Sequence, residues 1–487
     1  MSYYNKGSMA PVALVTSEKG GGNFTFVAGT DDPSVAIENA WSYLNDLGGG
    51  TLLTKGPGET WTLESTINSQ GDNITWMSDW SLLFWAANGL DDDMIKNTND
   101  WITFYGLHLN HNKANQAVAQ HMPIEDLQDR SEHIRVLYCK IIDAVRSGVT
   151  IRWSDYVEYA YNYLEGGAWN NLTARDCTHV NIHNNLSYKI SDVHISIFAG
   201  EHVDIHDNIC WDTSLDTGDN DSKWGISVES GVSISVDIHD NILYDIGKRA
   251  IDIGNQTGDY NNISVRNNVM YDCAKLDSAV IRLRNCNGID VVDNMFYNCA
   301  YIDAAALGHI QVLQSDLGMT DWRISDNHML VDENPTGNLY GINVEDNSGG
   351  VIQNNKIYFS GTGGNQYGVY LDNMDDVLLE GNVIFTEDDY CIYVLGNSTN
   401  IHINGGQLDG GGSTGIYGVD VDDITVRNVV FKPNIGTAVD FNRASVTGPV
   451  IMGCYAKGVT ADYSIAGAVG ELLRDNIALG GGWFADT

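Results

Sequence analysis

The chain contains only 13 arginines among its 487 residues, and two of them lie two positions apart in the stretch IRLRN. Side chains of a β-strand alternate between its faces, so Arg282 and Arg284 are predicted to project from the same face. Two guanidinium groups on one face could bind a carboxylate through paired hydrogen bonds. The alternative is that both arginines form solvated ion pairs with acidic neighbours.

Acidic residues occupy matching positions in the neighbouring segments WGISVES and RAIDIGN, as Glu229 and Asp252. Abstraction of a proton next to a carboxylate needs a cation that neutralises the carboxylate, a base, and an acid for the leaving oxygen. Together with Arg282 and Arg284, these acids are candidate catalytic residues for such a reaction. An acid pair could instead hydrolyse a glycosidic bond, and carboxylates could hold Ca²⁺.

Further polar and aromatic residues are predicted to contact the substrate. Tyrosines at equivalent strand positions could form an aromatic sugar-binding ridge or donate a proton, although a tyrosine ladder also stabilises a sheet face by itself. The residues predicted to bind the substrate are Arg152, Arg175, Trp224, Glu345, Tyr370, Asp372 and Tyr393.

An acidic, glycine-containing loop, DTSLDTGDNDSK, lies between two strand-like segments. Asp216, Asp219 and Asp221 in this loop are candidate calcium ligands, although the loop lacks the twelve-residue pattern with a terminal Glu that is typical of an EF-hand. The loop could also act as a wall beside the substrate. Calcium is therefore the one cofactor that the sequence suggests, and no organic cofactor is expected.

These candidate residues are positioned by an internal repeat. The pattern apolar-x-apolar-x-(Asp/Asn)-Asn recurs eight times, and its asparagines are separated by 23, 33, 27, 26, 33, 28 and 27 residues. Repeats of 20–50 residues built from short alternating strands indicate a solenoid, here a parallel β-helix of about 10–12 coils in an all-β chain. Asparagine suits the corner because it tolerates left-handed geometry and can bond backbone groups of adjacent turns. The repeated asparagines are Asn185, Asn208, Asn241, Asn268, Asn294, Asn327, Asn355 and Asn382.

Each coil carries another strand whose aliphatic residues are predicted to point inward, which leaves two outward columns. The first outward column is predicted to contain Thr150, Thr173, Ser196, Ser227, Asp252, Arg282, Asn343, Tyr370, Tyr393 and Tyr417. The second outward column is predicted to contain Arg152, Arg175, Phe198, Glu229, Gly254, Arg284, Glu345 and Asp372. A shift of one residue would invert every position.

The ends of the chain have a different pattern. The segment from about Pro33 to Leu47 is predicted to form a capped amphipathic helix that closes the open end of the solenoid. The predicted organisation is an extension at 1–24, the capping helix and first coils at 25–100, the β-helix body at 101–445 and a C-terminal cap at 446–487. The eight cysteines show no zinc-binding spacing and are predicted to be small buried apolar residues.

Charge limits the possible partners. The chain has 64 acidic and 26 basic residues, a formal net charge of −38. Such a field repels nucleic acid and anionic membranes, so neither is an expected partner, and no apolar stretch is long enough for membrane insertion. The charge is compatible with a saline environment. No secretory signal is visible at the N-terminus.

The stretches GTDDPSVAIENAWSYLNDLGGGTLL and NGLDDDMIKNTNDWITFYGLHLNHNKANQ resemble the start of the pectate-lyase-like superfamily, which comprises right-handed parallel β-helix proteins. The resemblance covers about residues 25–115, and the coil pattern continues to about 430. It implies a right-handed parallel β-helix. The superfamily includes polysaccharide lyases, glycoside hydrolases, mannuronan C5-epimerases and phage tailspikes.

Within that superfamily, YGLHLNHNKANQ and SDVHISIF resemble the alginate C5-epimerase module. In the second stretch His194 matches a catalytic histidine of that family, and the resemblance implies a general base. The Asp-Pro-His tripeptide of the family is absent, since SGVTIRWSDY stands in the corresponding region. The adjacent acids of polygalacturonases are also absent, because Asp252 stands alone.

The resemblance and the candidate residues together predict an extracellular protein that acts on an acidic, uronate-containing polysaccharide by β-elimination or a related C5 proton abstraction. The alternative is a tailspike-like glycan-binding protein on a virion surface, with hydrolase activity or none. A structural adhesin is a third alternative. An enzyme of this class is expected to be a monomer, and a tailspike-like protein a homotrimer.

Overall fold

The computed structural model describes a chain with two compact units, residues 1–223 (unit 1) and 224–487 (unit 2). All statements below concern the described residues, which are 10–17, 24–25, 31–117, 121–127, 131–213, 223–254, 259–275, 279–300, 307–313, 321–410, 414–441, 446–456, 459, 461–464, 472–474 and 476–478.

Both units are parallel β-solenoid, which confirms the predicted fold class. The chain makes about 14 turns and is about 4% helical. The prediction of about 10–12 coils is too low because the coils extend beyond the asparagine repeat. Val12–Thr16 already pairs in parallel with Gly50–Lys55, and Val450–Met452 still pairs with Leu472–Arg474. The predicted domain boundaries stay predictions.

Unit 1 contains two ladders of parallel strands. The main ladder contains Val12–Thr16, Phe24–Thr25, Gly50–Lys55, Ile67–Asn68, Ile74–Ser78, Ile95–Asn97, Thr103–Tyr105, Ile124–Asp126, Glu132–Leu137, Val149–Arg152, Asp155–Ala160, Asn170–His183 and Val193–His206. The second ladder contains Thr60–Leu63, Leu83–Ala86, His108–Asn110, Lys140–Ile142, Tyr163–Glu165, Leu186–Ile190 and Ile209–Thr213.

Unit 2 repeats this arrangement. Its main ladder contains Trp224–Glu229, Val232–His239, Ile251–Ile253, Asp259–Arg266, Ile281–Arg284, Cys286–Val292, Leu307–Leu313, Trp322–Ser325, Leu339–Glu345, Ser348–Gln353, Gln366–Asp372, Asp375–Glu380, Tyr390–Leu395, Ser398–Asn404, Thr414–Gly418, Val421–Arg427, Thr437–Asp440, Val446–Thr447, Val450–Met452, Ala461–Ser464 and Leu472–Arg474. Its second ladder contains Ile242–Tyr244, Val269–Tyr271, Met295–Tyr297, His328–Val331, Lys356–Phe359, Val383–Thr386, Gln407–Gly410, Val430–Phe431, Tyr455–Ala456 and Ile477–Ala478.

The repeated asparagines form buried hydrogen-bonded ladders between the strands. In unit 2 the Nδ2 of Asn268 donates to Oδ1 of Asn294 at 3.0 Å, and the Nδ2 of Asn294 donates to Oδ1 of Asn327 at 3.0 Å. In unit 1, Asn162, Asn185 and Asn208 are linked in the same way at 2.9 Å. The left-handed residue is not the ladder asparagine but the one before it, such as Asp293 with φ 56°. The short polar residue before the ladder therefore turns the corner, and the ladder amide bonds the next coil.

The predicted helix is confirmed as Pro33–Asp46, with the Asp32 carboxylate accepting a hydrogen bond from the Ser34 amide at 3.0 Å. Its buried face packs on the first main-ladder strands, and the Trp41 ring lies 5.9 Å from the Trp76 ring. The other helical segment is a single turn, Lys113–Asn115. Within the described ranges, no helix has the length and apolar character required to cross a membrane.

The eight cysteines are free and buried, as predicted. Several of their thiols donate to backbone carbonyls of the coil before, as Cys273 does to Leu243 at 3.2 Å. Burial raises the pKa of the Cys139 and Cys177 thiols to about 12. They are therefore protonated at neutral pH and act as small apolar core residues.

Candidate functional site

The predicted register of the first outward column is confirmed in unit 2. Asp252 pairs with Ser227 on one side and with Arg282 on the other. The column continues through Asn343, Tyr370, Tyr393 and Tyr417. Gln311 belongs between Arg282 and Asn343, and the sequence interpretation missed it. The coil that carries Gln311 lacks the turn signals of its neighbours. The alternation of apolar and polar residues in HIQVL could nevertheless have assigned Gln311 to the first outward column.

Asp252 is held by two arginines. The Arg282 guanidinium donates to both carboxylate oxygens, at 2.7 and 2.9 Å, and Arg249 donates to Oδ2 at 3.4 Å. Asp252 is only 2% exposed. The ion-pair alternative therefore holds for Arg282 and Asp252, which hold each other in place in the column.

Arg284 has a different environment from Arg282. It is half-buried in the second outward column, where it pairs with Leu313. Among the described residues, no carboxylate lies within 4 Å of its guanidinium. Burial and the charge of Arg282 lower the pKa of Arg284, while the nearby Asp252 raises it. Arg284 is thus a partly desolvated cation that is available to an anionic ligand.

Trp224 and Glu229 lie on the strand that begins unit 2. The Arg249 guanidinium is 5.2 Å from the centre of the Trp224 ring, a cation–π contact that fixes both side chains. Glu229 is half-exposed, and its charge contributes, after burial, to the raised pKa of the buried Tyr260. Trp224 therefore lies beside the arginine that contacts Asp252.

A tyrosine surface lies further along the same column. Tyr370 and Tyr393 are parallel, with ring centres 5.5 Å apart, and Tyr393 and Tyr417 are 5.1 Å apart. A second row stacks beside the first, in which the ring centres of Tyr340 and Tyr367 are 4.8 Å apart. Burial raises the pKa of Tyr367 to about 12, so its hydroxyl remains a hydrogen-bond donor at neutral pH. The tyrosine surface consists of Tyr340, Tyr367, Tyr370, Tyr390, Tyr393 and Tyr417.

Two predicted carboxylates stand beside the tyrosines. Glu345 pairs directly with Asp372 on the next coil, and the Asn343 amide donates to Glu345 at 2.8 Å. Burial and the charge of Asp346 raise the pKa of Asp372. Adjacent parallel strands are about 4.8 Å apart, so the two carboxylates can act on one sugar unit.

Unit 1 holds a buried ionic cluster that the sequence interpretation missed. The Arg152 guanidinium lies 2.9 Å from the Glu125 carboxylate, and the Lys96 ammonium lies 3.7 Å from the Asp93 carboxylate. Burial, together with a hydrogen bond to Asp93 and its charge, raises the pKa of Glu125 to about 7 despite the nearby Arg152. The column register could have revealed this cluster, because Lys96, Glu125 and Thr150 are paired neighbours in one outward column. Arg152 therefore holds a carboxylate of the chain itself.

The remaining predicted site residues of unit 1 are not brought together. His194 is fully buried, where its Nδ1 lies 2.7 Å from the Ser187 hydroxyl. Burial lowers the pKa of His194 to about 3, so this side chain is neutral and has no access to a polymer in solvent. Arg175 is exposed, 3.4 Å from Asp176 and 6.0 Å from the Phe198 ring.

The structure does not test the predicted calcium site. Asp216, Asp219 and Asp221 lie outside the described residues. In unit 1, Asp92, Asp93 and His121 bring ligand atoms within 4.8 Å of one another. The Lys96 ammonium lies 2.7 Å from Asp92 and 3.7 Å from Asp93, so a cation of the chain itself already lies beside both carboxylates. Calcium binding stays a prediction.

Comparisons with known proteins support the fold. The family model of the right-handed beta helix region matches residues 308–467. A search of curated proteins gave no significant match. The tailspike protein of E. coli bacteriophage HK620, solved with a pentasaccharide, is 10% identical with a TM-score of 0.51, and the match covers 92% of this chain and 78% of that chain.

Two further structures are similar at lower scores. A hyperthermoactive exopolygalacturonase from Thermotoga maritima is 11% identical with a TM-score of 0.44, covering 77% of this chain and 93% of that chain. The A-module of the mannuronan C-5 epimerase AlgE4 from Azotobacter vinelandii is 12% identical with a TM-score of 0.32, covering 86% and 95%. Identities this low bear on the fold alone. The chain has the right-handed parallel β-helix fold of the superfamily that its sequence resembles.

Proposed function

We propose that this protein acts outside the cell on an acidic, uronate-containing polysaccharide, by β-elimination or a related abstraction of the C5 proton. The observation that carries the proposal is Arg284, a half-buried cation with no carboxylate within 4 Å among the described residues of a chain with net charge −38. Desolvation strengthens the attraction between such a cation and a sugar carboxylate.

The outward columns of unit 2 provide a track for the rest of the polymer. Gln311 and Asn343 separate Arg282 from Tyr370, which therefore lies three rungs away, about 14 Å along the ladder. A uronate held by Arg284 would be followed by further sugar units over the tyrosines. The raised pKa of Tyr367 and of its neighbours keeps these phenols available as hydrogen-bond donors.

The chemistry requires a base near C5 of the bound uronate. Glu345 stands two rungs from Arg284 in the second outward column, so an Arg and a Glu side chain can reach one sugar from the two ends. In the proposed step Glu345 accepts the C5 proton, a double bond forms between C4 and C5, and the C4–O bond breaks. The leaving oxygen takes a proton from Tyr370 or water.

Hydrolysis is a second candidate, favoured by the pairing of Glu345 with Asp372. The raised pKa of Asp372 makes it the better proton donor, and Glu345 would act as the nucleophile. A rung spacing of about 4.8 Å is close to the separation of about 5 Å between the carboxyls of retaining glycosidases. A tailspike-like glycan-binding protein, which we expect to be a homotrimer, would use the same surface, whereas a lyase is expected to be a monomer.

The test is an incubation of the purified chain with alginate, pectate, hyaluronan and neutral glycans, with and without Ca²⁺. Ultraviolet absorbance of the unsaturated product reports elimination, and reducing ends without that absorbance report hydrolysis. Replacing Arg284 with Gln should lower kcat/KM about tenfold to 100-fold, because it removes a charge-assisted contact.

Arg323→Gln is the matched control, because Arg323 is an exposed strand arginine of the same unit that pairs with Asp290 at 2.8 Å. It should leave turnover unchanged. Equal activity of Arg284→Gln and wild type on the preferred polymer would disprove the assigned site. The absence of both products and of binding to every acidic glycan would disprove the proposed function.

A further inference from the structure

Unit 1 has a groove that none of the predicted site residues enters. Its volume is about 470 Å³, and we call it the Lys140 groove. It runs between a corner of the solenoid and the start of the second-ladder strands. The lining residues are Trp80, Tyr138, Lys140, Tyr161, Asn162, Tyr163, Asn184 and Leu186.

The aromatic wall of the groove is exposed at a conformational cost. Tyr138 and Tyr161 have φ of 54° and 58°, in the left-handed region, which a bulky side chain rarely adopts. Their neighbours in the same corner column are Gly106 and Asn184, residue types that suit this geometry. The two rings stack 4.7 Å apart and are 38% and 44% exposed. Burial in the core therefore does not explain these tyrosines.

Trp80 adds a third aromatic side chain, 47% exposed. Its ring lies over Gly106, where an added Cβ would come within 3.3 Å of the indole. The glycine thus leaves room for the tryptophan to lie flat against the corner. Exposed aromatic side chains with a few polar groups between them are typical of carbohydrate sites and ligand pockets.

The floor of the groove carries a single cation. The Lys140 ammonium lies 5.6 Å from the centre of the Tyr163 ring. Among the described residues it has no carboxylate within 4 Å, since Glu165 accepts a hydrogen bond from the Tyr163 hydroxyl at 2.8 Å instead. Burial and the Lys140 charge lower the pKa of the neighbouring His108, so that imidazole stays neutral. A positive charge is thus left unbalanced in a strongly acidic chain.

We propose that the Lys140 groove is a second carbohydrate site that binds a carboxylate-bearing oligosaccharide, with Lys140 neutralising the carboxylate and Trp80, Tyr138 and Tyr161 packing against the sugar rings. Charge complementarity selects this occupant over a neutral sugar, because a neutral ligand would leave the ammonium desolvated without a partner. The choice of a uronate as ligand rests on the proposed function, but the groove and the Arg284 site involve different residues.

The experiment is a calorimetric titration of the full chain with a short, size-defined oligouronate, so that each site is filled separately. We expect two binding events for the wild type. Lys140→Gln should weaken binding at the Lys140 groove about tenfold or more and leave binding at the Arg284 site unchanged. Arg284→Gln should weaken binding at the Arg284 site and leave binding at the groove unchanged. Tyr161→Ala should also weaken the Lys140 event.

Lys356→Gln is the matched control, because Lys356 also begins a second-ladder strand, pairs with His328 and Val383, and is exposed. It should leave both events unchanged. A Lys140→Gln titration identical to the wild type overturns the groove proposal, as does equal binding of a neutral oligosaccharide to the Lys140 site. Loss of the Lys140 event alone, with Arg284→Gln without effect, supports the groove and overturns the Arg284 site.

Discussion

Arg282 and Arg284 are two residues apart, face the same side and differ in what they can do. Arg282 forms a two-bond ion pair with Asp252, whereas Arg284 has no carboxylate in reach among the described residues. The sequence predicted that both could bind a substrate carboxylate or form ion pairs. The ion-pair alternative holds for Arg282, because Asp252 is its pairing partner in the adjacent strand, and binding of a substrate carboxylate by Arg284 stays a prediction.

Glu125 gives a prediction about pH. Its pKa is about 7 in the folded chain, against an ordinary value of 4.5, because it is buried and hydrogen-bonded to Asp93. A carboxyl whose pKa is raised by folding stabilises the fold fully below about pH 4.5, and the contribution is lost as the pH rises through about 7. The size of the change is about 3 kcal/mol. Glu125→Gln, which stays neutral, should remove this pH dependence.

The measurement is urea unfolding of the wild type and the variant at pH 4.5 and pH 8. The free energy of unfolding of the wild type, relative to that of Glu125→Gln, should be lower at pH 8 than at pH 4.5. Glu132→Gln, at an exposed position of unit 1, is the control and should change stability equally at both values. A difference between wild type and Glu125→Gln that does not vary with pH would show that Glu125 is ionised throughout.

At the scale of the element, the asparagine ladder explains the repeat better than the corner geometry does. All eight repeated asparagines are buried, and in unit 2 the Nδ2 of each one from Asn241 to Asn355 donates to Oδ1 of the next, so hydrogen bonding between rungs accounts for the repeat. The sequence motif identified the residue and its role in bonding adjacent turns. The left-handed turn belongs to the preceding residue, which the motif also marks as Asp or Asn.

We expect Asn294→Ala to destabilise unit 2 by about 3 kcal/mol, because it removes the buried Oδ1 that accepts hydrogen bonds from the backbone and side-chain amides of Asn268. The check is the free energy of unfolding in urea. Asn287→Ala is the control, because Asn287 is half-exposed and lies on a strand of the same coil region. Asn287→Ala should lower the free energy of unfolding far less than Asn294→Ala does. Equal losses in both variants would show that the ladder adds no more than an ordinary surface asparagine.

At the scale of the whole molecule, the net charge of −38 opposes the proposed ligand. Long-range repulsion acts over about 30 Å at 0.01 M salt and only about 8 Å at 0.15 M, whereas a contact with a half-buried cation is screened less. We therefore expect the affinity for an oligouronate to increase severalfold over this range, opposite to the usual behaviour of a cationic site. Calorimetric titration at several salt concentrations measures the affinity for the oligouronate. A steady loss of this affinity with increasing salt would contradict the expectation.

The amino-acid pattern alone was sufficient to predict the parallel β-helix, the first helix, the burial of the cysteines and the register of the first outward column. These features follow from strand alternation, capping and a repeat of about 30 residues, all of which are local along the chain. Only the tertiary structure decided which charges pair, that Glu125 is buried against Asp93, that His194 points inward, and that Lys140 lies among aromatic side chains. The ion pair of Arg282, the contact of Glu125 and the contact between Lys140 and Tyr163 join residues about 20 to 30 positions apart on neighbouring rungs. All of these features depend on side-chain direction and burial, which no single segment of the sequence specifies.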